Sequence, residues 1–131
     1  MHSSSVALIL LLSIAAAPVL SISCYSYNGM FNRKEKVLHG QKFCTAVYEV
    51  NSGEAEAAFG GGDLDPTDVR FIRELPEGKD CFLKHVDNKM GFPSSDIWTC
   101  FCFDSFCNFP FNWEEFTKRG FTLAALPQKN I

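Results

Sequence analysis

Three of the six cysteines fall in the run Cys100-Phe101-Cys102-Phe103-Asp104-Ser105-Phe106-Cys107-Asn108, and the others stand at Cys24, Cys44 and Cys81. Clustered thiols offer two chemistries. As thiolates, Cys100, Cys102 and Cys107 could hold zinc with His85 or His39 completing the set, but the paired Cys-x2-Cys spacing typical of such sites is missing. As oxidised pairs they would cross-link the chain, and an even number of cysteines in a small exported domain reads as three disulfides, with several connectivities open on count alone.

The remaining reactive groups argue against catalysis. Beyond the leader the histidines are His39 and His85, and neither Gly-x-Ser-x-Gly nor His-Glu-x-x-His accompanies them. Asp63, Asp65 and Glu74 could offer hard oxygens to calcium but lack the spacing of a calcium loop, and Gly60-Gly61-Gly62 is not followed by the Lys-Ser or Lys-Thr of a phosphate loop. Glu54, Glu56, Asp63 and Asp65 read as solvated loop charge. The net charge of −3 comes wholly from residues beyond 23, so there is no basic field for a nucleic acid. The expectation is a non-enzyme with no catalytic residue, no cofactor and no metal.

Residues 1–23 have the layout of a secretory signal peptide, with Val6 to Leu20 as an apolar core of about 15 residues, short of the roughly 20 needed to span a bilayer. The mature protein is expected to begin between Ile22 and Cys24. The mature chain of about 108 residues is one domain with a modest core that gains from covalent staples. Leu123 to Leu126 is too short an apolar run for a lipid-anchor signal, so the protein is expected to be secreted, extracellular and not lipid-anchored.

Positioning the cysteines falls to alternating β-rich runs: a short strand at Cys24–Tyr27, then strands over 42–50, 81–86 and 96–103. Residues 30–41, with Arg33, Lys34, Glu35 and Lys36, read as a solvated loop tip ending in a turn at His39-Gly40. Residues 54–68 also read as loop, because three consecutive glycines weaken a strand. Asp65-Pro66 starts a helix well, yet Val69 to Leu75 alternates equally well as a strand. Asn112 to Gly120 predicts a short helix, capped by Asn112, with Glu115 in the capping-box position and Phe111 stapled to Phe116. That helix is expected to cover one sheet face with aromatic side chains.

Cys24-Tyr25 at the start and Cys102-x4-Cys107-Asn108 at the end resemble the three-finger superfamily of snake neurotoxins, lymphocyte-antigen-6 proteins and urokinase-receptor domains. The likeness covers about 85 residues. It implies a small disulfide-rich all-β fold of antiparallel hairpins over residues 24–109, with 110–131 as an extension carrying the short helix. It also implies the pairs Cys24–Cys44, Cys81–Cys100 and Cys102–Cys107. The two longer loops, of roughly 20 and 19 residues, would each be stabilised by about 3 kcal/mol on the loop-entropy account. In that family adjacent cysteines precede the closing loop, whereas here Phe101 separates Cys100 from Cys102; on an ideal strand both sulfurs then share a face, which predicts a bulge. A further family bridge lacks both members, with Tyr27 near one of its places.

The resemblance implies a secreted binding module that engages an extracellular or cell-surface protein, a receptor or ion channel, through its finger loops. Finger two is the expected contact surface, with Phe59, Asp63 and Asp65 as candidate partner-binding residues. An inhibitor of an extracellular enzyme and a structural extracellular protein are the alternatives. Intact mass before and after alkylation checks the cysteine chemistry: the native secreted chain should take up no label, and three reactive thiols would favour the metal set.

Overall fold

The computed structural model describes residues 20–29, 32–87 and 94–124. The residues read as a leader, those up to 19, the residues 91–93 read as loop, and the tail beyond 124 lie outside the described residues. Six strands carry the fold: β1 (Ile22–Asn28), β2 (Asn32–Gln41), β3 (Phe43–Asn51), β4 (Glu54–Gly62), β5 (Cys81–Val86) and β6 (Ser95–Cys102). They form one sheet in the order β2-β1-β4-β3-β6-β5, each neighbouring pair antiparallel. In chain order these are three consecutive hairpins. With three disulfides and a short helix α2 (Trp113–Lys118) near the end, the chain is a small disulfide-rich all-β domain.

Alternation sets the central strand. Cys44, Ala46 and Tyr48 of β3 are buried while Thr45, Val47 and Glu49 between them are half-buried. Ser52 (φ 52°) and Gly53 (φ 81°) both take left-handed backbone at the following turn, the geometry of a two-residue hairpin loop whose twist matches its strands. That turn locks the register from Asn51↔Glu54 to Phe43↔Gly62 without a break.

Two segments read as loop are strands. Residues 54–62 form β4, glycines included, and the glycines are there because other groups occupy the space above them. A Cβ at Gly62 would run into the Phe43 ring, and one at Gly61 would lie 3.0 Å from the Cys24 sulfur and 2.9 Å from Gln41 Oε1. Residues 32–41 form the edge strand β2. An edge strand with its charged side chains in water needs little apolar alternation, and lysines such as Lys34 and Lys36 guard it against pairing with another chain. The ambiguous stretch after Asp65 is helical, a 3₁₀ turn at Pro66–Asp68 followed by α1 (Arg70–Arg73).

The bridges join Cys24 to Cys44, Cys81 to Cys100 and Cys102 to Cys107. No bulge separates Cys100 from Cys102: the β3–β6 register runs unbroken from Val50↔Asp96 to Cys44↔Cys102. Both cysteines stay on one face and find partners in different directions. Cys100 meets Cys81 directly across β5. Cys102 meets Cys107 because the chain doubles back, with the Cys107 N–H donating to Asp104 O (3.1 Å) and Phe106 in left-handed backbone. Phe101, on the opposite face, is buried edge-on against Phe43. The register irregularities lie in β1–β2 instead.

Strands β1 and β4 pair only at Tyr27↔Phe59 and Asn28↔Ala58. Beyond that short contact, Asn108 takes over the missing ladder. Its Oδ1 accepts from Tyr25 N (2.9 Å), and its Nδ2 donates to Tyr25 O (3.0 Å), Thr45 O (2.9 Å) and Gly60 O (3.0 Å). One carboxamide thus ties β1, β3 and β4 together with no exposure to water. Two hydrogens serve three carbonyls, so at least one is shared.

The C-terminal segment covers the face that carries Tyr48. Phe116 is fully buried and stacks on Tyr48 at 4.2 Å between centroids, Phe121 stacks on Trp98 at 4.6 Å, and the Tyr48 hydroxyl donates to Phe111 O (2.8 Å). Asn112 Oδ1 accepts from Glu115 N (2.8 Å) to cap α2, as its sequence predicts. The expected staple differs: the ring contacts of Phe111 go to Phe109 and, at 3.9 Å, to the Arg119 guanidinium rather than to Phe116. At the other end the N–H groups of Gly120 and Phe121 return to Thr117 O and Phe116 O, closing a Schellman motif. Asp80 then holds the strap, accepting from Thr122 Oγ1 (2.8 Å) and Leu123 N (2.9 Å).

The Asn108 clamp can be tested by an isosteric change. Asn108→Asp sets acceptor oxygens against three carbonyls and should cost about 2 kcal/mol or more. Guanidinium denaturation with the bridges intact measures it, and a midpoint equal to that of the parent would show that the carboxamide hydrogens contribute little.

Candidate interaction surface

The hairpin registers give the sheet two unlike ends. At one end lie the six cysteines. At the other the three hairpins turn back, beyond Asn28, at Ser52-Gly53 and beyond Val86. The Ser52-Gly53 turn sets Glu49 directly opposite Glu56. Like charges facing across strands oppose pairing. The same row continues through Ile97 to Lys84. Glu49, Asn51, Ser52, Glu54 and Glu56 line a shallow cup of about 350 Å³.

The third hairpin adds a linked set of side chains. His85 and Asp96 face each other across β5 and β6, with Nδ1 at 2.6 Å from Asp96 Oδ1, while Nε2 lies 3.0 Å from Asp87 Oδ1. The hydrogen bond to Asp96 raises the His85 pKa above its ordinary value, with the charges of Asp96 and Asp87 adding to it. Hence this end presents Glu49, Glu54, Glu56, Asp87 and Asp96, with His85 bridging two of them.

The candidate partner-binding residues are not brought together. Phe59 is a core residue, 6% exposed, set edge-on against Tyr48 at 5.7 Å and tilted against Tyr27. Its place opposite Ala46 in the register faces it into the aromatic layer, away from the hairpin turns. Asp63 and Asp65 are exposed, but they follow Gly62 at the cysteine end, away from the hairpin turns. Asp65 is engaged locally: it accepts from Thr67 N (3.0 Å) and Thr67 Oγ1 (2.8 Å), and these bonds hold its carboxyl below the usual carboxylate range. His39 lies 2.8 Å from Ser23 Oγ through Nδ1.

The sulfurs of Cys44, Cys102 and Cys107 lie within 4.8 Å of one another. All three are committed to disulfides, so the cluster is two bridges packed side by side and offers no thiolate. The residues that sequence reading passed over are Glu49, Asp87 and Asp96, and it set Glu54 and Glu56 aside as loop charge. A signal for the first pairing was present: a two-residue turn at Ser52-Gly53 puts Glu49 opposite Glu56 by counting back from it.

A protein-family model described as EGAP4-like C-terminal domain matches residues 23–120. No curated protein and no solved structure matches the chain.

A histidine whose folded pKa is raised stabilises fully below the unfolded value, near 6.5, and loses that contribution as pH rises through the folded value. The His85–Asp96–Asp87 contacts should therefore hold the third hairpin at mildly acid pH and loosen in the window above about 6.5. NMR titration of the His85 ring should place its midpoint above that of a model histidine, and Asp96→Asn should bring it back down. A midpoint at or below the model value would show that the pair does not persist in solution.

Proposed function

The chain belongs to the EGAP4-like C-terminal domain family, and from that premise we propose that it is a secreted, non-enzymatic binding module of the three-finger kind. It engages an extracellular or cell-surface protein, a receptor or ion channel, through the free ends of its hairpins. The observation that carries this reading is the polarity of the sheet: three disulfides anchor one end, while the opposite end carries three hairpin turns and a set of carboxylates. Three bridges in about 85 residues also fit an oxidising compartment.

The chemistry of that end indicates what it would meet. Glu49, Glu54, Glu56 and Asp96 complement a surface of lysine or arginine, which would speed encounter and fix orientation more than it would set affinity. A partner cation placed between Glu49 and Glu56 would relieve their mutual repulsion. Binding would thereby recover energy that the free sheet loses.

Binding of the labelled domain to intact cells, with charge reversals at the two ends, tests the proposal. Glu49→Lys with Glu54→Lys should weaken binding by about tenfold or more and reduce its salt dependence. Asp63→Lys with Asp65→Lys, at the cysteine end, should leave binding near the parent level. Retained binding after the first pair, or loss only after the second, would defeat the assignment of the contact surface.

A further inference from the structure

Beside the free ends lies a second concavity, which shares only Glu56 with the carboxylates of the proposed function. It has a volume of about 340 Å³, at the small end of the range for ligand sites. Its walls are aromatic: Tyr27 from β1, Tyr48 from β3, Phe59 from β4, and Phe111 and Trp113 from the segment entering α2. The rings are set at angles to one another, with Tyr48 5.7 Å from Phe59 and 6.0 Å from Trp113, and Tyr27 6.4 Å from Phe59. The charged side chains at its lining are both acids, Glu35 from β2 and Glu56 from β4.

We propose that this pocket binds a compact alkylammonium ion. Electron-rich ring faces attract a cation in proportion to its desolvation, and carboxylates at the rim add net charge without filling the space. The rings open to a ligand are the half-buried Tyr27, Phe111 and Trp113, while Tyr48 lies fully buried beneath them with its hydroxyl spent on Phe111 O at 2.8 Å, so the aromatic wall offers ring rather than a hydroxyl donor from Tyr48 and favours a cation over an anion or a sugar. Gly29 keeps the Glu56 carboxylate close, because a Cβ there would lie 3.2 Å from Glu56 Oε2. One wall ring already shows this chemistry within the molecule, since the Arg119 guanidinium lies 3.9 Å from the centroid of Phe111. Arg119 is not among the lining residues, and Glu115, 3.5 Å from its Nε, offsets the charge that would oppose a second cation.

An alkylammonium group could arrive as a free amine or as the side chain of a lysine. The disulfide-intact full chain is titrated at constant ionic strength with choline chloride, with its neutral isostere 3,3-dimethyl-1-butanol, and with a blocked Gly-Lys-Gly peptide. The readout is the indole N–H of Trp113 by NMR. Choline should shift it saturably and the neutral alcohol should not. Glu35→Gln with Glu56→Gln, both exposed and tolerant of neutralisation, should weaken choline by about tenfold while the rest of the spectrum holds. Tighter binding of the peptide than of choline would assign the group to a protein side chain, and the reverse order to a free amine. Equal binding of alcohol and choline, or no saturable response to either cation, would overturn the proposal. So would a double variant that binds choline as the parent does.

Discussion

A sheet made of three hairpins has a structural problem at each junction, because hairpins pair well internally and poorly with one another. β3 solves it with β6 through seven register pairs. β1 and β4 have only two, and there a single carboxamide substitutes for the backbone. Asn108 reaches β1, β3 and β4 at once, and with Ser95 it is one of two buried polar side chains among the described residues. A buried amide with both its acceptor and its donors engaged fixes one arrangement of strands, since any other would leave polar atoms unmatched. The placing of Asn108 depends in turn on the five-residue loop closed by Cys102–Cys107. The covalent and the hydrogen-bonded constraints therefore act at the same joint.

The aromatic layer is the second organising feature. Tyr48 sits at its centre, stacked on Phe116 and edge-on to Phe59, with its hydroxyl on a backbone carbonyl. Burial pushes the phenol well above its ordinary pKa, so it stays a neutral donor at physiological pH. This layer joins hairpins that meet only at edges, and it does so with residues from outside the sheet. Helix α2 is thus less an appendage than the second wall of the core.

Much of the fold was legible in the sequence. Alternation placed β1, β3, β5 and β6, and the residues around Asn112 announced α2. The misreadings have physical causes. β4 was hidden because its glycines are set by a neighbouring ring and a sulfur, which no local pattern records. β2 was hidden because an edge strand with solvated side chains lacks the alternation of a half-buried one. The expected bulge at Phe101 rested on one strand considered alone, whereas Cys100 and Cys102 share a face and pair with different neighbours. The surface at the free ends was less legible, since Glu49 and Glu56 become adjacent only once the register is fixed, and Phe59 looked exposed only while β4 passed for a loop.

The clamp and the second wall both come late in the chain. A ribosome makes Tyr25, Thr45, Tyr48 and Gly60 before Asn108 and Phe116, so any hairpin that forms early has an uncovered aromatic face and a gap beside β1. Exposed apolar surface of that kind is what retains unfinished chains and what makes them aggregate. Completion of the domain therefore rests on its last quarter, and a chain cut short just before Asn108 would carry all six cysteines yet lack the carboxamide that joins β1 to β3 and β4 and the rings that cover the aromatic face.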